Sequence, residues 1–111
     1  MIEFDVRTTD QGIGVVAPQG RLNMVAARQL RDTLSGLVGA GTTRIVVDLD
    51  GTTFIDSSAL GALVAAHRRA RGLGGSLAVA GIQAPVARIL ELTGLDRVLA
   101  AYPTARDAVT R

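Results

Sequence analysis

Ile2, Phe4 and Val6 alternate with charged residues, the period-two pattern of a half-buried strand. Gln11-Gly12 can turn the chain into a second strand from Ile13 to Ala17, so the chain opens on a predicted hairpin. Gly20 breaks that pattern. Asn23 then stands where a helix N-cap belongs, with Leu30, Leu34 and Leu37 along one face and Gly39 and Gly41 to end the helix. The run from Arg44 to Leu49 is short, β-branched and apolar, as a buried strand should be. After Asp50-Gly51 a loop is expected, ending at Asp56-Ser57-Ser58, and Leu60, Leu63, Val64 and His67 follow at helical spacing. That helix stops in Gly72-Leu73-Gly74-Gly75 with Arg68, Arg69 and Arg71 in its last turns, where cations favour the helix dipole. Leu77 to Ala80 reads as another buried strand. Pro85 suits the first turn of a third helix that carries Val86, Ile89 and Leu90 and closes near Gly94. A short strand from Val98 to Ala101 and an amphipathic helix from Pro103-Thr104 through Val109 complete the pattern.

The predicted order is β-β-α-β-α-β-α-β-α. Strands alternating with helices favour a sheet with parallel segments and helical cover. The fold class expected is therefore α/β, with a mixed central sheet of about four to five strands and about four helices. With 111 residues and no repeat or linker, residues 1–111 are expected to form a single domain.

Composition removes several kinds of chemistry. The chain has no cysteine and one histidine, His67, so thiolate and multi-histidine metal sites are excluded, and no metal or cofactor is expected. The calculated pI is near 10.4, yet the formal net charge is only +2. All twelve basic residues are arginines, scattered from Arg7 to Arg111, and their high pKa inflates the pI. Aromatic residues make up 3% of the chain, too few for a base-stacking platform, so no nucleic-acid partner is expected. The N-terminus has acidic residues where a signal peptide needs a basic start, and no apolar run reaches the roughly 18 residues of a membrane span. A soluble, cytoplasmic, monomeric protein with no membrane partner is the expectation.

Val46-Val47-Asp48-Leu49-Asp50-Gly51-Thr52 resembles the D-x-D-G-T motif of haloacid-dehalogenase-type phosphatases. That resemblance would make Asp48 a nucleophile and Asp50 a general acid/base around magnesium. The rest of the chain opposes it: some forty residues precede the motif, lysine is absent, and Glu91, Asp96 and Asp107 form no paired motif. A hydrolase triad using Ser57 or Ser58 with His67 fails on geometry, because His67 lies about 15 Å along the same helix. Gly72 to Gly75 lack Walker spacing and are expected to form a helix-to-strand turn. Asp56-Ser57-Ser58, taken alone, is a helix cap worth about 1 kcal/mol.

Its surroundings give it another meaning. The stretch from Leu49 to Gly61, LDGTTFIDSSALG, resembles the signature of STAS domains, and specifically of bacterial anti-sigma-factor antagonists, whose motif is approximately F-[ILM]-D-S-S-G-L-G. Gly20-Arg21-Leu22-Asn23 resembles the family's G-x-L-[DN] turn, Gly74-Gly75-Ser76-Leu77 its glycine pair, and Val86 to Leu95 its third helix and exit. The resemblance spans nearly the whole chain in the right order. It implies a non-enzymatic protein whose Ser57 is phosphorylated, with Asp56, Ser58, Gly20, Asn23 and Met24 forming the partner-binding surface around it. The implied mechanism is partner switching. The unphosphorylated chain docks on an anti-sigma factor that is also a GHKL-type serine kinase, and so frees a sigma factor; phosphorylation at Ser57 releases it, and a metal-dependent serine phosphatase resets the switch.

Three departures from the family pattern carry expectations. Ala59 replaces the usual glycine and is expected to place a methyl beside the acceptor, slowing phosphorylation. Asn23 stands where many members have aspartate. Met24 and Val25 form either a contact surface or a hydrophobic staple onto the first helix. Ser58 is expected as a second capping residue, with Ser58 the alternative acceptor. The competing function keeps the fold but makes the chain a soluble STAS subunit or scaffold of another complex, such as a lipid-transport ABC system; magnesium-dependent phosphatase chemistry on Asp48 and Asp50 stands behind both.

Overall fold

The alternating N-terminus and the β-branched runs in mid-chain assemble into one five-stranded sheet. In the computed structural model, which describes residues 4–110, β1 (Phe4–Thr8) and β2 (Gly14–Pro18) pair antiparallel with Val6 opposite Val16. Ile2, assigned to the first strand by its alternation, lies outside the described residues, as does Arg111. β2 runs parallel to β4 (Arg44–Asp48), β4 to β6 (Ser76–Ala80), and β6 to β7 (Ala100–Tyr102), which gives the order β1-β2-β4-β6-β7. Parallel neighbours need long crossovers. α1 (Met24–Gly39), α2 (Ser57–Gly72) and α3 (Ala84–Thr93) supply them, and α4 (Ala105–Val109) follows β7.

The mixed α/β architecture with four helices is the one expected, but the order gains two strands. β3 (Gly20–Leu22) and β5 (Thr52–Ile55) pair in parallel as a separate two-stranded ribbon. Gly20 therefore begins a strand, and the stretch before Asp56, expected as loop, is mostly strand. Segments of three and four residues carry too little alternation to be read from sequence. The last strand also lies further on, at Ala100–Tyr102, because Leu95–Arg97 makes a single 3-10 turn that buries Leu99.

Two apolar layers flank the sheet. Side chains alternate across a strand, so β4 sends Ile45 and Val47 to one face and Val46 to the other. Val16, Val47 and Val79 line up across β2, β4 and β6 and are buried with Leu22, Leu30, Leu34 and Leu63 beneath the helices. Each such side chain contributes roughly 1.5–3 kcal/mol on burial. On the opposite face Val15, Val46 and Ala80 pack under Ala105 and Ala108 of α4.

The glycines at the end of α2 have separate duties. Gly74 takes φ 85°, the left-handed turn that ends the helix. Gly75 follows, and a Cβ there would be driven into the backbone carbonyl of Thr43, which accepts the Ser76 N–H at 2.9 Å. Gly75→Ala should lower stability by about 2–3 kcal/mol, as overpacking against fixed backbone does. Gly74→Ala, which meets open space, should cost only about 1 kcal/mol. Urea unfolding of the two variants, with unchanged m-values, checks that ranking.

Candidate functional site

The β3–β5 ribbon brings two helix starts together. β3 runs through Leu22 into Asn23 and α1, and β5 runs through Ile55 into Asp56 and α2. Leu22 lies opposite Ile55, and the Leu22 carbonyl accepts the Asp56 N–H at 3.2 Å. Each helix is capped in the same way: Asn23 Oδ1 accepts from the Ala26 N–H, and Asp56 Oδ1 from the Ala59 N–H, both at 3.1 Å. The helices therefore leave the ribbon side by side and pack against each other. Asn23 is thus carried next to Asp56, with Met24 and Ser57 opening the two helices, although more than thirty positions separate the two segments; Gly20 lies at the other end of the ribbon, opposite Thr52.

Three details anchor the ribbon. Gly20 adopts φ 96°, a conformation that suits glycine, and its N–H donates to the Gly51 carbonyl at 2.9 Å. Thr52 is fully buried, and its hydroxyl donates to the Pro18 carbonyl at 3.0 Å, so the buried polar group is satisfied. Opposite Phe54 in register, the Arg21 guanidinium sits 4.3 Å from the centre of its ring, a cation–π contact. Sequence reasoning missed Arg21 as a member of this site. Only the parallel register of β3 on β5 places it there.

Ser57 is the first residue of α2 and is exposed, while Ser58 is half-buried. Among the described residues neither hydroxyl has a hydrogen-bond partner. The expectation that Ser58 acts as a second cap is corrected: Asp56 alone caps with its side chain, because it is the residue with extended backbone at the helix entrance. Ala59 requires a second correction. It is fully buried in the main core, so its methyl points inward, away from the exposed serine. Met24 and Val25 are 71% and 76% exposed on the first turn of α1, which removes the staple and leaves an apolar surface patch beside Asn23.

The other candidates fall elsewhere. His67 is half-buried, and its Nδ1 accepts the Leu77 N–H at 3.2 Å, tying α2 to β6 far from Ser57. Asp48 ends β4, and its Oδ1 accepts the Asp50 N–H at 3.1 Å, so it shapes the turn after the strand. Asp48 and Asp50 border a cleft of about 300 Å³ with Gly81, Thr104 and Arg106. Among the described residues no three His, Cys, Asp or Glu side chains come together as a metal site. No helix among them is long and apolar enough to cross a membrane.

Comparison with known proteins gives this geometry its family. The STAS domain model matches residues 5–108, and the chain belongs to that family. A relative from Paenibacillus polymyxa, an anti-sigma F factor antagonist, is 33% identical over 66 residues, covering 60% of this chain and 56% of that protein. The match thus spans little more than half the length of that relative. The crystal structure of an anti-sigma factor antagonist from Mycobacterium paratuberculosis superposes with a TM-score of 0.90 at 31% identity, covering 99% of this chain and 92% of that one. The Bacillus cell fate determinant SpoIIAA in its phosphorylated form shares the fold, with a TM-score of 0.78 at 21% identity over 98% of each chain.

The division of labour at the α2 entrance is testable. Asp56→Ala should cost about 1 kcal/mol, the usual loss of a capping bond. Ser57→Ala and Ser58→Ala should each stay within about 0.5 kcal/mol of wild type. Thermal and urea unfolding of the three variants measures this, and a larger loss at Ser58 would make it a cap after all.

Proposed function

We propose that this chain is an anti-sigma-factor antagonist that works by binding, with Ser57 as its phosphorylation switch and the two adjacent helix starts as its docking surface. One observation supports this most. Ser57 is exposed at the entrance of α2 while Asp56 does the capping, so the serine hydroxyl can be presented and modified without loss of the helix. The names of the relatives support the class of function, and the LDGTTFIDSSALG stretch supports Ser57 as acceptor.

In this mechanism the unphosphorylated chain docks on an anti-sigma factor of GHKL kinase type and frees the sigma factor. ATP and magnesium belong to that kinase, and the antagonist is its substrate. The contacts come from Asn23, Met24, Asp56 and Ser58 around the acceptor, with Gly20 further along the ribbon. The apolar side chains of Met24 and Val25 supply area that water leaves on docking. Phosphorylation adds about −1.5 to −2 charges to Ser57. A helix N-terminus tolerates an anion, so the antagonist stays folded. In the complex the same charge is buried beside Asp56, and unpaired interfacial charge costs about 2–5 kcal/mol. At about 1.4 kcal/mol per tenfold in affinity, that releases the partner without a change of shape. A metal-dependent serine phosphatase returns the chain to its binding form. The whole cycle is cytoplasmic, and residues 1–111 act in it as one monomeric unit.

Wild type, Ser57→Ala and Ser57→Asp baits, mixed with native lysate and read by mass spectrometry, test the switch. Wild type and Ser57→Ala should capture a GHKL-type kinase that Ser57→Asp loses by at least about thirtyfold. Equal capture by all three would reduce Ser57 to a surface residue. Ala59→Gly separates a second point. Its methyl belongs to the core, so the variant should lose about 1 kcal/mol of stability and be phosphorylated no faster than wild type.

A further inference from the structure

The charges of this chain are unevenly placed. α1 and α2 together carry Arg28, Arg31, Arg68, Arg69 and Arg71 against a single acid, Asp32. Five of twelve arginines and one of ten acids lie on two packed helices, while the whole chain is only +2. The helix pair is therefore net +4 and the remainder net −2, which makes the pair attractive to acidic partners. Capping and helix dipoles account for Arg69 and Arg71 at the end of α2, but not for Arg28 and Arg31 in the first half of α1.

A groove of about 90 Å³ runs between the two helices. Leu34, Val38, Ala65 and Ala66 line its apolar part, and Arg31 and Arg69 stand with it from α1 and α2. Arg69 Nη1 donates to Ser35 Oγ at 2.9 Å, which holds one guanidinium in place and leaves its other N–H groups free to donate. Among the described residues neither arginine is paired with a carboxylate. The alanines of α2 keep the groove open. Its size suits one aliphatic side chain, and its arginines suit carboxylates to either side of it.

We propose that this α1–α2 groove is a second docking site, which takes an acidic protein segment presenting one aliphatic side chain between carboxylates. The aliphatic group enters between Leu34 and Ala65, and the carboxylates meet Arg31 and Arg69. A protein segment fits better than a nucleic acid, because the lining is apolar and offers no aromatic ring for a base. Arg69 lies twelve residues along α2 from Ser57, about 18 Å at the helical rise. The site is thus separate from the proposed switch, and binding here is independent of phosphorylation at Ser57.

The test uses the full chain, isotope-labelled, and a short helical peptide with one leucine flanked by glutamates one turn to each side. Saturable amide shifts should map to the Arg31–Val38 and Ala65–Arg69 stretches. The double variant Arg31→Gln/Arg69→Gln should bind about tenfold more weakly. Replacing the peptide leucine by serine should weaken binding as well, and Arg31→Glu/Arg69→Glu should prefer a lysine version of the peptide. Circular dichroism confirms that each variant is folded; should the changes at Arg69 fail, Arg31→Glu with Ser35→Ala carries the same comparison. Ser57→Asp should bind the peptide as wild type does, whatever becomes of its capture of a kinase. The proposal is overturned if no saturable shift appears at the groove, if the leucine is dispensable, or if Ser57→Asp abolishes binding. Equal, arginine-dependent binding of single-stranded oligothymidine would also overturn it, by making the face a general polyanion surface.

Discussion

The parallel pairing of β3 with β5 is the contact on which the candidate site of this molecule depends. It is a small interaction, with Leu22 set against Ile55 and one N–H from Asp56 on the Leu22 carbonyl. Yet each short strand runs directly into a capped helix, so fixing the ribbon fixes where both helices start and sets them side by side. The ribbon is itself held by hydrogen bonds, buried Thr52 on Pro18 and half-buried Gly20 on Gly51. Everything proposed for Ser57 follows from that arrangement, because it exposes the serine beside a second segment that the chain reached more than thirty residues earlier.

Capping and the proposed modification fall on different side chains. A serine that both capped α2 and accepted a phosphate would give up its bond to the Ala59 N–H each time it was modified. Asp56 takes the capping role instead, and its carboxylate also suits the positive end of the helix. The same carboxylate stands next to any charge placed on Ser57. The residue that stabilises the helix would thus also sharpen the electrostatic difference between the two states of the proposed switch. Met24 and Val25 add exposed apolar area to the same end, while Arg31 and Arg69 gather charge further along the same helix pair. One pair of helices therefore offers surfaces of two different chemical kinds.

The sequence determined much of this. β-branched and apolar runs located β2, β4 and β6, because a buried strand must write its burial into its side chains. Alternation located β1 too, but Val6, expected on its half-buried face, is exposed at the sheet's edge. Helical spacing, Asn23, Pro85 and Gly94 located the helices and their ends, and FIDSSALG pointed to the entrance of α2. Tertiary structure decided what short range could not. β3 and β5 are too short to show a period, and their hydrogen-bond partners come from across the chain, so neither segment marks itself as a strand. The direction of the Ala59 methyl, the choice of Asp56 over Ser58 as cap and the placing of Arg21 over Phe54 depend on how helix and ribbon are rotated against the core. A linear pattern records which residues are apolar, but which way each one faces is settled only when the elements pack.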